Sequence, residues 1–274
     1  MVYNFLKISL LIIFTNILVI TPSLAQGNLM VLPKRLVFDG SQRSQEITLA
    51  NTGSDSATYA ISMVQYKMTE NGGFEEITVP EEGQHFASDF LRYFPRQVSL
   101  GANEAQTVRV QITKASTMEP GEYRSHIYFR AVEAQTALGD DSADDATGIS
   151  IKIKAVFGLS IPVIVRVGDD TSSLSLSNLS LSKAENNDTL LEMNINREGN
   201  MSSYGTISVD HISPTGKSTE IAIVRGLALY TPNNLRIFKL PINTKEIDIT
   251  KGALEVTYTS EENKLLATET LKLE

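Results

Sequence analysis

Short runs in which apolar and polar residues alternate recur along the chain, each closed by Gly, Asn, Asp, Ser or Pro. A period of two puts every second side chain on one face, so each run has a single apolar face to bury, as a half-buried antiparallel strand does. Leu36-Val37-Phe38 ends at Asp39-Gly40, and Glu46-Ile47-Thr48-Leu49-Ala50 ends at Asn51-Thr52-Gly53. The alternation of residues 57–66 meets Asn71-Gly72-Gly73. Gln97-Val98-Ser99-Leu100 turns at Gly101-Ala102-Asn103, residues 106–112 alternate through Val108, Val110 and Ile112, and residues 123–132 form a further strand. Each stop is turn chemistry. Helical periodicity is scarcely visible, and turn signals at roughly 8–12-residue spacing make a β-sandwich the economical architecture.

Residues 134–147 are polar and acidic, with Asp140, Asp141, Asp144 and Asp145 among small residues, and read as a mobile loop that lacks the Gly and terminal Glu spacing of an EF-hand. The next run puts Ile149, Ile151 and Ile153 on one face and Ser150, Lys152 and Lys154 on the other. It continues through Val156 and Phe157. Gly158 is read as a bulge or a close backbone approach, and residues 159–165 run on before Gly168-Asp169-Asp170. The acidic, serine-rich residues 168–173 mark an expected boundary, with one domain over 26–167 and a second over 168–274. Residues 174–176, 190–195, 205–211, 221–224, 235–240 and 254–258 carry short β-type runs, and 265–273 close the second sandwich. Asn178, Asn187 and Asn200 each begin an Asn-X-Ser/Thr triplet, which in a bacterial envelope reads as turn chemistry rather than as a glycosylation site.

The chain has 274 residues, which suggests two domains at roughly 150 residues each. A hydrophobic share of 42% is enough to offset the chain entropy of folding and rules out global disorder. Lys+Arg number 24 against 32 Asp+Glu, a formal charge of -8, so there is no basic footprint for nucleic acid. Residues 1–25 read as a signal peptide: Lys7 precedes an apolar stretch over 8–20, and Thr21-Pro22-Ser23-Leu24-Ala25 supplies a breaker and small residues for cleavage after Ala25. The apolar run is shorter than the roughly 20 residues a spanning helix needs. Cleavage would leave 23 basic groups against 32 acidic ones, a charge of -9. Export of a chain with no cysteine is compatible with a bacterial periplasm.

The catalytic vocabulary is sparse. Without cysteine there is no disulfide, thiolate nucleophile, iron–sulfur cluster or thiolate zinc site. No Gly-rich phosphate loop, HExxH pair or GxSxG elbow occurs, and His85, His126 and His211 lack the local companions that would promote one of them to a catalytic base. The expectation is therefore no enzyme, no cofactor, no metal and no small-molecule substrate.

Lys34-Arg35-Leu36-Val37-Phe38-Asp39-Gly40, followed by residues 44–51, resembles the opening of periplasmic pilus chaperones of the PapD type. Residues 94–101 with Gln106-Thr107-Val108-Arg109-Val110 look like the family's strand pair before its long loop, and Phe129-Arg130-Ala131-Val132 looks like its F-strand ending. The Ser160 to Arg166 run, Ser-Ile-Pro-Val-Ile-Val-Arg, is similar to a divergent branch of these proteins. The resemblance covers about residues 30–165, and the second domain mainly by length and strand pattern.

It implies an all-β chain of two immunoglobulin-like β-sandwich domains arranged as a boomerang, acting in the periplasm. The implied function is to bind and cap pilin-like subunits by donor-strand complementation and deliver them to an outer-membrane usher, without ATP, metal or nucleic acid. A subunit that lacks a strand exposes an apolar groove and unpaired backbone groups, and an added strand satisfies both. The resemblance assigns groove filling to Ile149, Ile151 and Ile153; alternation alone favours an internal strand facing the chain's own core, and only the resemblance reverses that. It carries the anchor for the subunit's C-terminal carboxylate onto Arg35 and Lys154, with Lys152 in reserve because Pro162 lies farther downstream than its counterpart. Self-association of the free protein is left open. The competing expectations are an envelope or surface adhesion protein with the same fold, and a hydrolytic enzyme.

Overall fold

The computed structural model describes residues 29–132, 156–185, 187–243 and 247–273. Residues 1–25, read as a signal peptide, residues 134–147, read as an acidic loop, and Ile149, Ile151, Ile153, Lys152 and Lys154 lie outside the described residues. The described residues form strands and two short 3-10 turns, and no helix among them is long and apolar enough to cross a membrane.

Numbered along the chain, the first eleven strands are β1 (Leu29–Leu32), β2 (Leu36–Phe38), β3 (Ser44–Asn51), β4 (Ala57–Val64), β5 (Tyr66–Met68), β6 (Phe74–Glu76), β7 (Leu91–Phe94), β8 (Gln97–Leu100), β9 (Ala105–Ile112), β10 (Gly121–Val132) and β11 (Gly158–Val167). One sheet has the order β1-β3-β9-β7 and the other β2-β11-β10-β4-β8. In immunoglobulin terms these are an ABED sheet and a CFG sheet. The first strand crosses from one to the other: β1 pairs antiparallel with β3, and after Pro33, Lys34 and Arg35 the chain continues as β2, which runs parallel to β11. The β7–β8 segment does the same, β7 pairing with β9 and β8 with β4. Alternation decides what is buried. In β9, Val108, Val110 and Ile112 enter the core while Thr107, Arg109 and Gln111 face water, and they meet Phe38, Ile47, Leu49, Ile127 and Phe129. Strands β5 and β6 form a separate hairpin whose turn is Asn71-Gly72-Gly73.

The second sandwich follows residues 168–172. Its strands are β12 (Ser173–Lys183), β13 (Thr189–Glu198), β14 (Ser203–Ile212), β15 (Ser218–Leu229), β16 (Leu235–Pro241), β17 (Gly252–Ser260) and β18 (Leu265–Leu273). They make sheets ordered β12-β13-β16 and β15-β14-β17-β18. Strict alternation in β13 and β14 sends Leu191, Met193, Ile195, Ile207 and Val209 into the core beside Leu254, Val256 and Tyr258. The buried Tyr258 hydroxyl donates to the Leu227 carbonyl at 2.8 Å, which keeps a polar tip satisfied inside that core. Asn178 has φ 56 at a register shift within β12, and Asn187 has φ 66 in the turn before β13, the left-handed backbone that asparagine tolerates best after glycine.

A third, smaller core joins the two sandwiches. Met68 from the hairpin and Ile164 from β11 pack against Ala228 and Tyr230, with Val37 and Tyr204 at the margin. The hairpin also reaches the second sandwich through its backbone: Asn233 Nδ2 donates to the Met68 carbonyl at 2.7 Å, and the Ile237 amide to the Glu70 carbonyl at 2.8 Å.

Candidate functional site: a cleft with an anchored arginine and an open strand edge

Beside this joint the two sandwiches share a buried carboxylate. Glu122, near the start of β10, has no exposed side-chain surface. Its Oε2 accepts from the Ser202 amide at 3.0 Å, the Ser202 hydroxyl at 2.7 Å and Arg166 Nε at 3.2 Å; its Oε1 accepts from the Thr231 hydroxyl at 3.2 Å. Arg166, at the end of β11, continues to the Ser202 carbonyl at 2.7 Å. A buried charge that is paired and hydrogen-bonded at both oxygens escapes most of the desolvation cost. Arg124, two residues along β10, lies over the Tyr230 ring at 4.5 Å and donates to the Thr231 carbonyl at 3.3 Å, and burial holds its pKa below the usual arginine value. These contacts fix how strands β10 and β11 meet the second sandwich.

Arg35 stands immediately before β2. Its guanidinium carbon lies 3.7 Å from the centroid of the Tyr204 ring, and its Nη2 is 3.1 Å from Oε2 of Glu261 in the β17–β18 turn. Its side chain is only 17% exposed, against 58% for Glu261. Nη1 is buried and makes no hydrogen bond. The residue that the resemblance selected is thus a cation held on an aromatic face between the sandwiches, with one donor unused and a carboxylate already within reach of the other. Sequence reasoning missed Tyr204, Glu261, Glu122 and Ser202, because no local pattern marks residues that meet only across the joint.

Next to Arg35 the edge of β11 opens. Strand β11 pairs along its whole length with β10, but β2 covers its other side only at Leu36↔Val163, Val37↔Ile164 and Phe38↔Val165. Among the described residues, the stretch 158–162 has no strand partner on that side. Arg35, one residue before Leu36, therefore sits where the covered part of the edge ends. The apolar row changes character at the same point. Val165, Val163 and Ile161 are 3%, 0% and 4% exposed, whereas Leu159 and Phe157 are 37% and 55% exposed. One row of alternate side chains starts inside its own core and emerges from it. Gly158 lies over Tyr128, where a Cβ would run into the phenol ring, and the β10–β11 register passes through it without a shift. It serves close approach rather than a bulge.

The histidine side chains contribute none of the polar contacts described above. His126 is buried, packed edge-on to Tyr66 and Phe74 with centroids at 5.0 and 5.7 Å. Burial, reinforced by the charge of Arg124, pushes its pKa down to about 3, so it is neutral at ordinary pH. His211 Nε2 bonds the Lys251 carbonyl at 2.9 Å, and His85 packs beside Tyr123. Among the described residues no group of three His, Cys, Asp or Glu side chains could hold a metal ion.

No family model matches the sequence, and no curated protein matches it. Solved structures of pilus chaperones are similar over most of the chain. A chain of the chaperone–tip adhesin complex of CFA/I fimbriae has 12% identity and a TM-score of 0.45, covering 90% of this chain and 99% of that one. The YadV chaperone has 10% identity and a TM-score of 0.44, covering 90% and 100%. The CupB2 chaperone of Pseudomonas aeruginosa has 11% identity and a TM-score of 0.41, covering 89% and 100%.

Proposed function

We propose that this chain is a periplasmic assembly chaperone, with domains over 26–167 and 168–274, that caps an incomplete β-sandwich subunit by completing its sheet and passes it to an outer-membrane usher. The observation that carries the reading is the coincidence, at one end of β2, of a semi-buried arginine with the start of an open, apolar strand edge. A strand laid against residues 158–162 would lie in line with β2, along about 16 Å of edge at the usual rise per residue. Its polarity follows from charge. If its C-terminus meets Arg35, the strand runs parallel to β11 and brings a carboxylate to a guanidinium; the opposite direction brings an ammonium. Leu159 and Phe157 would then fill the client's groove from the same odd-numbered row that the sequence continues upstream through Ile153, Ile151 and Ile149. On that continuation Lys154 and Lys152 would stand eight and ten residues upstream of Pro162, at the opposite end of the client strand from Arg35, so the carboxylate anchor rests on Arg35. Burying the exposed parts of these side chains is worth at most roughly 1.5–3 kcal/mol each, and a hydrogen bond to the carboxylate about as much again.

The test is co-expression in a periplasm with each small secreted protein that neighbouring genes encode. The reading expects a stable 1:1 complex with one of them, lost or weakened on Arg35→Ala while export and folding of the chaperone persist. Undiminished capture by Arg35→Ala removes the anchor assignment. A surface-retained monomer that captures nothing favours an adhesion protein instead.

A further inference from the structure

In the free chain the position in front of Arg35 is held by a carboxylate of the second sandwich. Glu261 belongs to a turn that is tied within itself. The Ser260 amide donates to the Lys264 carbonyl at 2.8 Å and the Asn263 amide to the Ser260 carbonyl at 3.0 Å. The Lys264 amide donates to the Ser260 hydroxyl at 3.2 Å. Asn263 has φ 62, a left-handed conformation suited to asparagine. The turn therefore presents Glu261 from a defined backbone, although the carboxylate itself stays more than half exposed.

The two partners are unequal. Arg35 is mostly buried, lies on the Tyr204 ring and comes from the residue before β2, so it cannot swing into water without giving up its packing. Glu261 reaches in from solvent and can return to it at little cost, since an exposed ion pair contributes modestly. A buried guanidinium with no counter-charge is expensive. A client carboxylate is the same chemistry in the same place, and could also offer an acceptor to the unused Nη1.

We infer that Glu261 is an internal stand-in for the client's terminal carboxylate: it neutralises Arg35 in the free protein and is displaced when a peptide C-terminus docks. The inference rests on the anchor reading above and adds a device to it. Glu261 keeps the empty cleft stable and lowers affinity by the same factor for every client whose terminal carboxylate must displace it.

The experiment uses the mature full chain as wild type, Glu261→Gln and Arg35→Ala. The probe is an N-acetylated octapeptide alternating valine and serine, ending in a free carboxylate, together with its C-terminal amide. Binding is measured by calorimetry at low and high salt. Glu261→Gln should bind the acid peptide roughly two- to fivefold tighter than wild type, the factor an exposed ion pair commands, with the gain shrinking in salt. The amide should gain nothing. If wild type prefers the acid through Arg35 but Glu261→Gln binds it no better, the stand-in is refuted and the anchor survives. If wild type binds acid and amide equally, or binds neither, both fail.

Discussion

Removing the Glu122 carboxylate should detach the two sandwiches from each other. Four donors converge on it: the Ser202 amide, the Ser202 and Thr231 hydroxyls, and the Arg166 guanidinium. Glu122→Ala leaves Arg166 without its buried counter-ion and the Ser202 amide without an acceptor. Breaking a buried ion pair from one side costs about 3–5 kcal/mol. Arg166 retains the Ser202 carbonyl at 2.7 Å and a side chain 22% exposed, which puts the expected loss at the lower end, about 3 kcal/mol. Equilibrium urea unfolding of the mature chain measures it. The unfolding curve should also split, because Ser202 and Thr231 lie in the second sandwich and their bonds couple it to the first. A cycle with Arg166→Ala isolates the pair and should return a coupling of roughly 1–3 kcal/mol. A loss for Glu122→Ala below about 1 kcal/mol, with a single sharp transition, would refute the view that this carboxylate holds the joint.

Other consequences follow from the same geometry. Leu159→Asp should impair client capture while lowering stability little, because Leu159 already meets solvent; Ile161→Asp, one step further into the core on the same row, should destabilise the chain itself, and equal melting temperatures for the two would contradict the emerging row. His126 has a folded pKa of about 3 against an ordinary value near 6.5, so below that value the unfolded chain takes a proton the folded one refuses. Stability should therefore fall as pH drops from about 6.5 towards 3, by up to about 1.4 kcal/mol per pH unit from this residue. His126→Phe, which keeps an aromatic ring beside Tyr66 and Phe74, should flatten that slope in urea titrations at pH 7 and 5; an unchanged slope would place the sensitivity elsewhere. Gly158→Val should lower stability through its clash with Tyr128, and Tyr128→Ala should restore part of the loss.

Much of the strand plan was legible because alternation is local. Residues 106–112 declare their buried face and residues 190–195 their strand, and β9 and β13 carry them as expected. Residues 57–66 read as one strand, but the ladder to β10 and β8 ends at Val64 and Tyr66 begins a hairpin with its own partner. The turn Asn71-Gly72-Gly73 was visible; the change of partner at Gln65 was not, since it depends on the second sandwich lying beneath the hairpin. Strands β1 and β7 are four residues each and went unread, β1 because its apolar residues follow closely on the apolar run over 8–20. Arg35 came from a resemblance rather than from periodicity. Glu261 and Ser202 could come from neither, because Glu122 and Ser202 stand 80 residues apart and meet only once both sandwiches exist.

The central claim concerns the uncovered edge of β11, and amide hydrogen exchange reads it directly. With a captured subunit present, the outward-facing amides between Gly158 and Ile161 should exchange at least about tenfold more slowly than in the free chain, and Arg35→Ala should erode that protection. Protection that appears on another surface, with residues 158–161 exchanging as they do in the free protein, would contradict strand addition at this edge.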